Sequence, residues 1–146
     1  MATHPSFPLR DIAVIGPGPV GATAALMLAH QGFNVALIGP QAVRRDGRTV
    51  ALMVASWAML EELGVASRLM EWAAPLAMMR VVDDTGSLFR RPPTEFRASE
   101  LGIDQFGWNI ETSVLTQALM DAVEGHPAIA RIETPISAVE LSLIHI

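Results

Sequence analysis

Gly16-Pro17-Gly18-Pro19-Val20-Gly21 constrains the fold of this chain more than any other stretch, because of what stands on either side of it. Ile12-Ala13-Val14-Ile15 precedes it, a short apolar run of the kind that forms a strand buried on both faces of a parallel sheet. Pro19 to Gln31 follows and reads as a helix, with proline tolerated in the first turn and Gly32 closing the last. Ala22, Ala25, Leu26 and Ala29 give that helix a small apolar face suited to close packing. Asn34 to Ile38 is a second strand-like run. A strand, a tight turn, a helix and a strand in this order fold as a right-handed parallel unit almost without exception.

Each glycine in the turn has a physical task. Gly16 lets the chain turn sharply after the strand, Gly18 keeps side-chain atoms away from a pyrophosphate, and Gly21 lets the helix lie close to the strand. Phosphates then meet the free N–H groups and the positive end of the helix. In this context the pattern points to a dinucleotide site lined by Gly16, Pro17, Gly18, Pro19, Val20 and Gly21. The competing reading is a strand–helix turn with no ligand. One expected part is missing. The second strand of such folds usually ends in an acid that holds a ribose hydroxyl, and Gly39 stands there. Either FAD or NAD binds with a weaker ribose contact, or Gly39 leaves room for the 2′-phosphate of NADP and Arg44 or Arg45 pairs with it.

Composition excludes several classes. The 146 residues suit one domain, and a chain that is 51% apolar and 17% charged can bury a core. A net charge of −5 with no basic cluster argues against nucleic acid as a partner. Arg44, Arg45 and Arg48 are close in sequence, but three loop charges usually form a solvated turn. No cysteine is present, which removes disulfides, thiolate catalysis and cysteine-based metal sites and fits a reducing, cytoplasmic compartment. His4, His30, His126 and His145 are far apart in sequence and lack ligand spacing, so no metal is expected. Met1 to Arg10 shows no signal pattern. Ile12 to Gly39 carries no formal charge, but glycines and prolines interrupt it too often for a membrane span.

Beyond the second strand, Gly39 to Arg48 reads as a polar loop with an Asp46-Gly47 turn. Thr49 to Leu63 is expected to be one helix, with Leu52, Ser56, Met59 and Leu63 on its inner face and Gly64 at its end. Met78 to Val82, an Asp84-Thr85-Gly86 turn and Leu88-Phe89 suggest a small hairpin outside the main sheet. Arg90 to Ile103 lacks a clear period and reads as loop. Phe106 to Ile110 suggests a strand, and Thr112 or Ser113 caps a helix running to about Glu124. That helix should bury Val114, Leu115, Ala118, Leu119 and Ala122, with Gly125 stopping it. Ala128 to Ile132 and Ala138 to Leu141 are further strand candidates.

Three blocks in order resemble a known family. Asp11 through Gly39 looks like the N-terminus of class A FAD-dependent aromatic-ring monooxygenases. Arg48-Thr49-Val50-Ala51-Leu52, Ser56 and Leu60-Glu61-Glu62-Leu63-Gly64-Val65 are similar to the ubiquinone-biosynthesis hydroxylases. Gly107-Trp108-Asn109-Ile110-Glu111, with Leu115 and Ala118-Leu119, resembles the strand and helix leading back to the FAD domain in that subfamily. The resemblance implies FAD as cofactor and NAD(P)H as transient reductant. It implies dioxygen and an aromatic polyprenyl phenol as substrates, and peripheral attachment at the inner face of a membrane. It also implies that Gly16, Gly18 and Gly21 meet the pyrophosphate and that Arg48 reaches the FAD phosphates or ribose. Gly39 departs from the family's acid.

The expected class is therefore α/β, a Rossmann-like parallel sheet for FAD or NAD(P), incomplete, with a small β-hairpin insertion. Residues 1–141 are expected to be a partial FAD-binding domain, with an excursion toward a substrate domain at about 76–110. Residues 142–146 read either as non-native or as an ordinary terminal strand. No residue of the chain is expected to be catalytic, because the later Gly-Asp motif and substrate sheet of the family are not in this sequence. The rivals are an NADP-binding reductase domain and a non-catalytic nucleotide-binding module. A plain nicotinamide domain should show a third buried strand soon after the second, and none is expected before Met78.

Overall fold

The computed structural model describes residues 8–40, 47–86 and 91–139. In chain order the elements are β1 (Ile12–Ile15), α1 (Pro19–His30), β2 (Val35–Ile38), β3 (Thr49–Met53), α2 (Val54–Glu62), α3 (Ala66–Leu69), β4 (Ala74–Pro75), β5 (Met78–Val81), β6 (Thr94–Arg97), β7 (Gly107–Glu111), α4 (Thr112–Glu124) and β8 (Ile129–Ile132). They belong to two compact units, residues 1–44 with 116–146 and residues 45–115.

The first unit is the parallel one. Its strands lie in the order β1-β2-β8, all parallel, with Ile12 opposite Val35 and Val35 opposite Ile129. Asp11 fixes the entry to β1, since Asn34 donates to its carboxylate from the backbone N–H at 2.8 Å and from the side-chain amide at 3.2 Å. α1 buries Ala22, Ala25, Leu26 and Ala29, the four residues its sequence pattern selects. Three of the four are alanine, so little side-chain entropy is lost on burial, and small side chains let the helix axis come close to its neighbours. β2 is buried through Val35, Ala36 and Leu37. β1 was expected to be buried on both faces and is not. Its residues alternate between half-buried and exposed, and Ile15 is 59% exposed. The reason is position: β2 has a strand on each side, whereas β1 is at one end of the three described strands.

The second unit is antiparallel. β7 is paired on one side with β3, from Thr49–Glu111 to Met53–Gly107, and on the other with β4. Here the expectation of a single helix from Thr49 to Leu63 is corrected. Thr49 to Met53 is a strand, and α2 starts at Val54. Thr49 and Val50 are β-branched, which favours a pleated chain, and β7 supplies the hydrogen-bonding partner that local sequence cannot reveal. The inner face of α2 also differs. Trp57 and Leu60 are buried, while Ser56 and Met59 are exposed and Leu52 and Leu63 are only half-buried. Trp57 stacks on Trp108 of β7 with ring centroids 4.4 Å apart.

The stretch Arg90 to Ile103, expected as loop, contains β6 and a short helical turn at Ala98–Leu101. β6 pairs with β5, so the hairpin exists outside the parallel sheet, but its second strand is Thr94–Arg97. Leu88 and Phe89 lie outside the described residues. All four residues of β6 are exposed, so no apolar alternation marks it; the pairing to β5 alone makes it a strand. α4 begins and ends where its sequence signals place it. It buries Leu115, Ala118 and Leu119 as expected, and also Met120 and Val123, while Val114 and Ala122 are half-buried. Ala138 and Val139 are in no strand, and the rest of that expected strand, with residues 142–146, lies outside the described residues. No described helix is long and apolar enough to cross a membrane.

Candidate functional site

The turn after β1 is built as its sequence requires. Gly16 has φ +100°, a region that side chains disfavour, and its N–H donates to Ile38 O at 2.8 Å, which ties the turn to the end of β2. Gly21 is locked. A Cβ there would stand 1.9 Å from Gly16 O and 3.6 Å from Val14 Cγ1, so the first turn of α1 presses directly on the strand and turn before it.

Gly18 is the opposite case. It is the N-cap of α1, with φ −79° and ψ 178°, and it brings no side chain to cap the helix. A Cβ built on it meets nothing within 4 Å. No acidic residue stands in the first turn of α1. Pro19 follows as the first helical residue, losing only an N–H that the helix could not have used. Val20 is 83% exposed beside it. The geometry is an uncapped helix N-terminus with a clear approach, which attracts an anion by its dipole and free N–H groups. That cradle fits the pyrophosphate of a dinucleotide.

Gly39 lies at the carboxyl end of β2, buried, with φ +131°. Its N–H donates to Ile132 O at 2.9 Å. A Cβ on Gly39 would come 2.9 Å from Pro17 Cδ, so Pro17 occupies the space a side chain would need. Pro17 and Gly39 therefore belong to one packed contact, which their separation in sequence conceals. Arg48 stands in the other unit, directly before β3, where its carbonyl accepts from the Thr112 N–H at 2.9 Å. Arg44 and Arg45 lie outside the described residues.

Arg131 and Glu133 escaped the sequence reading. Arg131 is on β8, with a side chain only 12% exposed. Its Nη1 donates to Leu37 O at 3.0 Å, both Nη atoms stand 3.5 Å from Gly39 O, and Nη2 stands 3.5 Å from Glu133 Oε1. Among the described residues, Arg131 Nε and Trp57 Nε1 are buried without a hydrogen-bond partner. The signal was available: an arginine inside the apolar run Ile129-Ala130-Arg131-Ile132 is costly to bury unless it has acceptors. His30 and His126, distant in sequence, come together in space with ring centroids 5.6 Å apart. Among the described residues no group of three or more His, Cys, Asp or Glu could hold a metal.

Residues 10–140 match the family model described as FAD binding domain. The chain belongs to that family. It is 34% identical over 134 residues to 3-demethoxyubiquinol 3-hydroxylase of Escherichia coli (strain K12), across 82% of this chain and 31% of that protein. It is 30% identical over 126 residues to ubiquinone hydroxylase UbiL of Rhodospirillum rubrum, across 82% of this chain and 28% of that protein. A mutant of PqsL from P. aeruginosa shares the fold, with a TM-score of 0.70 at 22% identity over 92% of this chain and 36% of that one. The chain thus spans about a third of the length of the curated relatives it matches. The sequence resemblance to ubiquinone-biosynthesis hydroxylases and the assignment of FAD as cofactor both stand. The α/β class with a parallel sheet stands as well.

Proposed function

We propose that this chain is the ADP-binding part of an FAD-dependent monooxygenase that hydroxylates an aromatic, polyprenyl phenol substrate with NAD(P)H and dioxygen. The open N-cap at Gly18, set against the closed contact at Gly21, is the observation that carries the cofactor half of this reading. The substrate half is supported by likeness to proteins named as a demethoxyubiquinol hydroxylase and a ubiquinone hydroxylase. In this reading Gly16, Pro17, Gly18, Pro19, Val20 and Gly21 line the pyrophosphate, and Gly39 stands beside the adenosine ribose. Residues 1–141 form part of the FAD domain, with the excursion at about 76–110 leading toward the substrate domain. When bound and reduced by NAD(P)H, FAD supplies the activation of dioxygen that amino-acid side chains do not provide. The chain's own residues bind and orient, and none is assigned a catalytic role. A cytoplasmic protein that visits the membrane surface would suit a lipid-like phenol.

The rival is an NADP-binding domain, favoured by the missing acid at Gly39. It is weakened by topology, because the third parallel strand, β8, arrives only after the whole antiparallel unit. Equilibrium dialysis of the full chain against FAD and NADP separates the two. Retention of FAD with only weak, exchangeable NADP is expected. Tight NADP binding that is lost in Arg44→Ala/Arg45→Ala, with no flavin retained, would overturn the proposal.

A further inference from the structure

We propose that Glu133, the residue that follows β8, the strand next to β2, supplies the carboxylate that receives an adenosine-ribose hydroxyl, in place of the acid missing at position 39. This inference rests on the FAD reading above and extends it to one contact. Position 39 cannot supply the group itself. Its φ of +131° disfavours a side chain, and Pro17 Cδ fills the direction in which one would leave.

Glu133 stands at the matching place at the end of the neighbouring strand. β2 and β8 are parallel, and the last registered pair is Ile38 with Ile132. Gly39 and Glu133 are therefore the next residues at the same end of adjacent strands. The Gly39 N–H bonded to Ile132 O keeps the two chains together there. β1 also ends at this side, where Gly16 is tied to Ile38 O. In open parallel sheets ligands lie beyond the carboxyl ends of the strands, so Glu133 stands on the ligand side.

Arg131 holds the carboxylate in place. Its guanidinium spans from Gly39 O to Glu133 Oε1, with Nη2 3.5 Å from each. The arginine is nearly buried, whereas Glu133 is 69% exposed, so the carboxylate keeps lone pairs for an outside donor. A carboxylate held this way can accept from a ribose hydroxyl much as an acid at the end of β2 would.

The test measures FAD affinity of the full chain by flavin fluorescence, with ADP, 2′-deoxy-ADP and 3′-deoxy-ADP as competitors. Glu133→Gln should weaken FAD binding about tenfold, the size expected for one hydrogen bond to a charged acceptor. It should also erase a preference for ADP over at least one deoxy analogue that the parent shows. Glu133→Asp, which retains the carboxylate, should keep part of that preference and guards against a Gln variant that fails to fold. FAD affinity and hydroxyl preference both unchanged in Glu133→Gln would overturn the assignment of Glu133 while leaving the FAD reading intact. A parent chain that takes up no FAD would overturn both.

Discussion

Each of the two units of this chain has its own kind of internal packing. The first relies on small residues. Alanines on α1 and the bare Cα of Gly21 let a helix press on a parallel sheet, and a single added carbon would collide with Gly16 O. The second relies on large ones. Trp57, Leu60, Leu69 and Ile110 are buried there, and the Trp57–Trp108 stack joins α2 to β7. A glycine matters in the second unit too, but between strands: a Cβ on Gly107 would stand 2.0 Å from Leu52 O and 2.7 Å from Met53 Cα. The lesson is that close packing comes either from removing side-chain volume or from fitting it, and each leaves a different weakness.

The largest effect is expected where volume is removed from the second unit. Trp57→Ala should cost about 4 kcal/mol, the upper range for emptying an aromatic site. Urea unfolding of the full chain measures it, and Trp108 emission should shift as its stacking partner disappears. A cost below about 1 kcal/mol would show that the aromatic pair does not hold this unit. Next come two additions of volume. Gly21→Ala and Gly107→Ala should each cost about 3 kcal/mol, because backbone rather than a flexible side chain is struck. Hydrogen exchange should separate them. Gly21→Ala should lower protection in β1, α1 and β2, and Gly107→Ala in β3 and β7. Equal loss everywhere in both variants would break the comparison.

A smaller change in stability but a complete change in binding is expected at Gly18. Its backbone is extended and its Cβ direction is open, so Gly18→Val should cost only about 1 kcal/mol, largely the poorer N-cap. FAD retention should nevertheless disappear, because the branched side chain fills the pyrophosphate cradle. Normal flavin occupancy in that variant would defeat the phosphate assignment. The contrast with Gly21, only three residues on, separates a glycine needed for folding from one needed for a ligand.

The smallest effect concerns Asp83 in the second unit. The Thr85 hydroxyl, the Thr85 N–H and the Arg91 N–H all donate to its carboxylate and hold its pKa below the usual 3.8. A depressed folded pKa gives stability that is present above the unfolded value and lost as pH falls through the folded one. Asp83→Ala should therefore lower the melting temperature slightly at neutral pH and not at all in strong acid. A thermal scan of both proteins across that range checks the sign.

Much of the first unit was legible because its signals are local. Glycines at φ-demanding turns, a proline at a helix start and an alanine face act within a few residues, so β1, α1 and β2 could be read in order. β3 was misread because Thr49 to Leu63 can satisfy a helical period, and only pairing with β7 decides against it. β6 was missed because its residues are all exposed and carry no pattern.

The candidate site divides along the same line. The sequence by itself determined the turn from Gly16 to Gly21, the absence of an acid at position 39 and the dinucleotide chemistry these imply. Tertiary structure decided that Pro17 fills the space beside Gly39 and that Arg131 bridges Gly39 O and Glu133. These contacts depend on strand order and register. A one-residue slip would turn Arg131 to the other face, and no local propensity fixes which distant strand becomes the neighbour of β2.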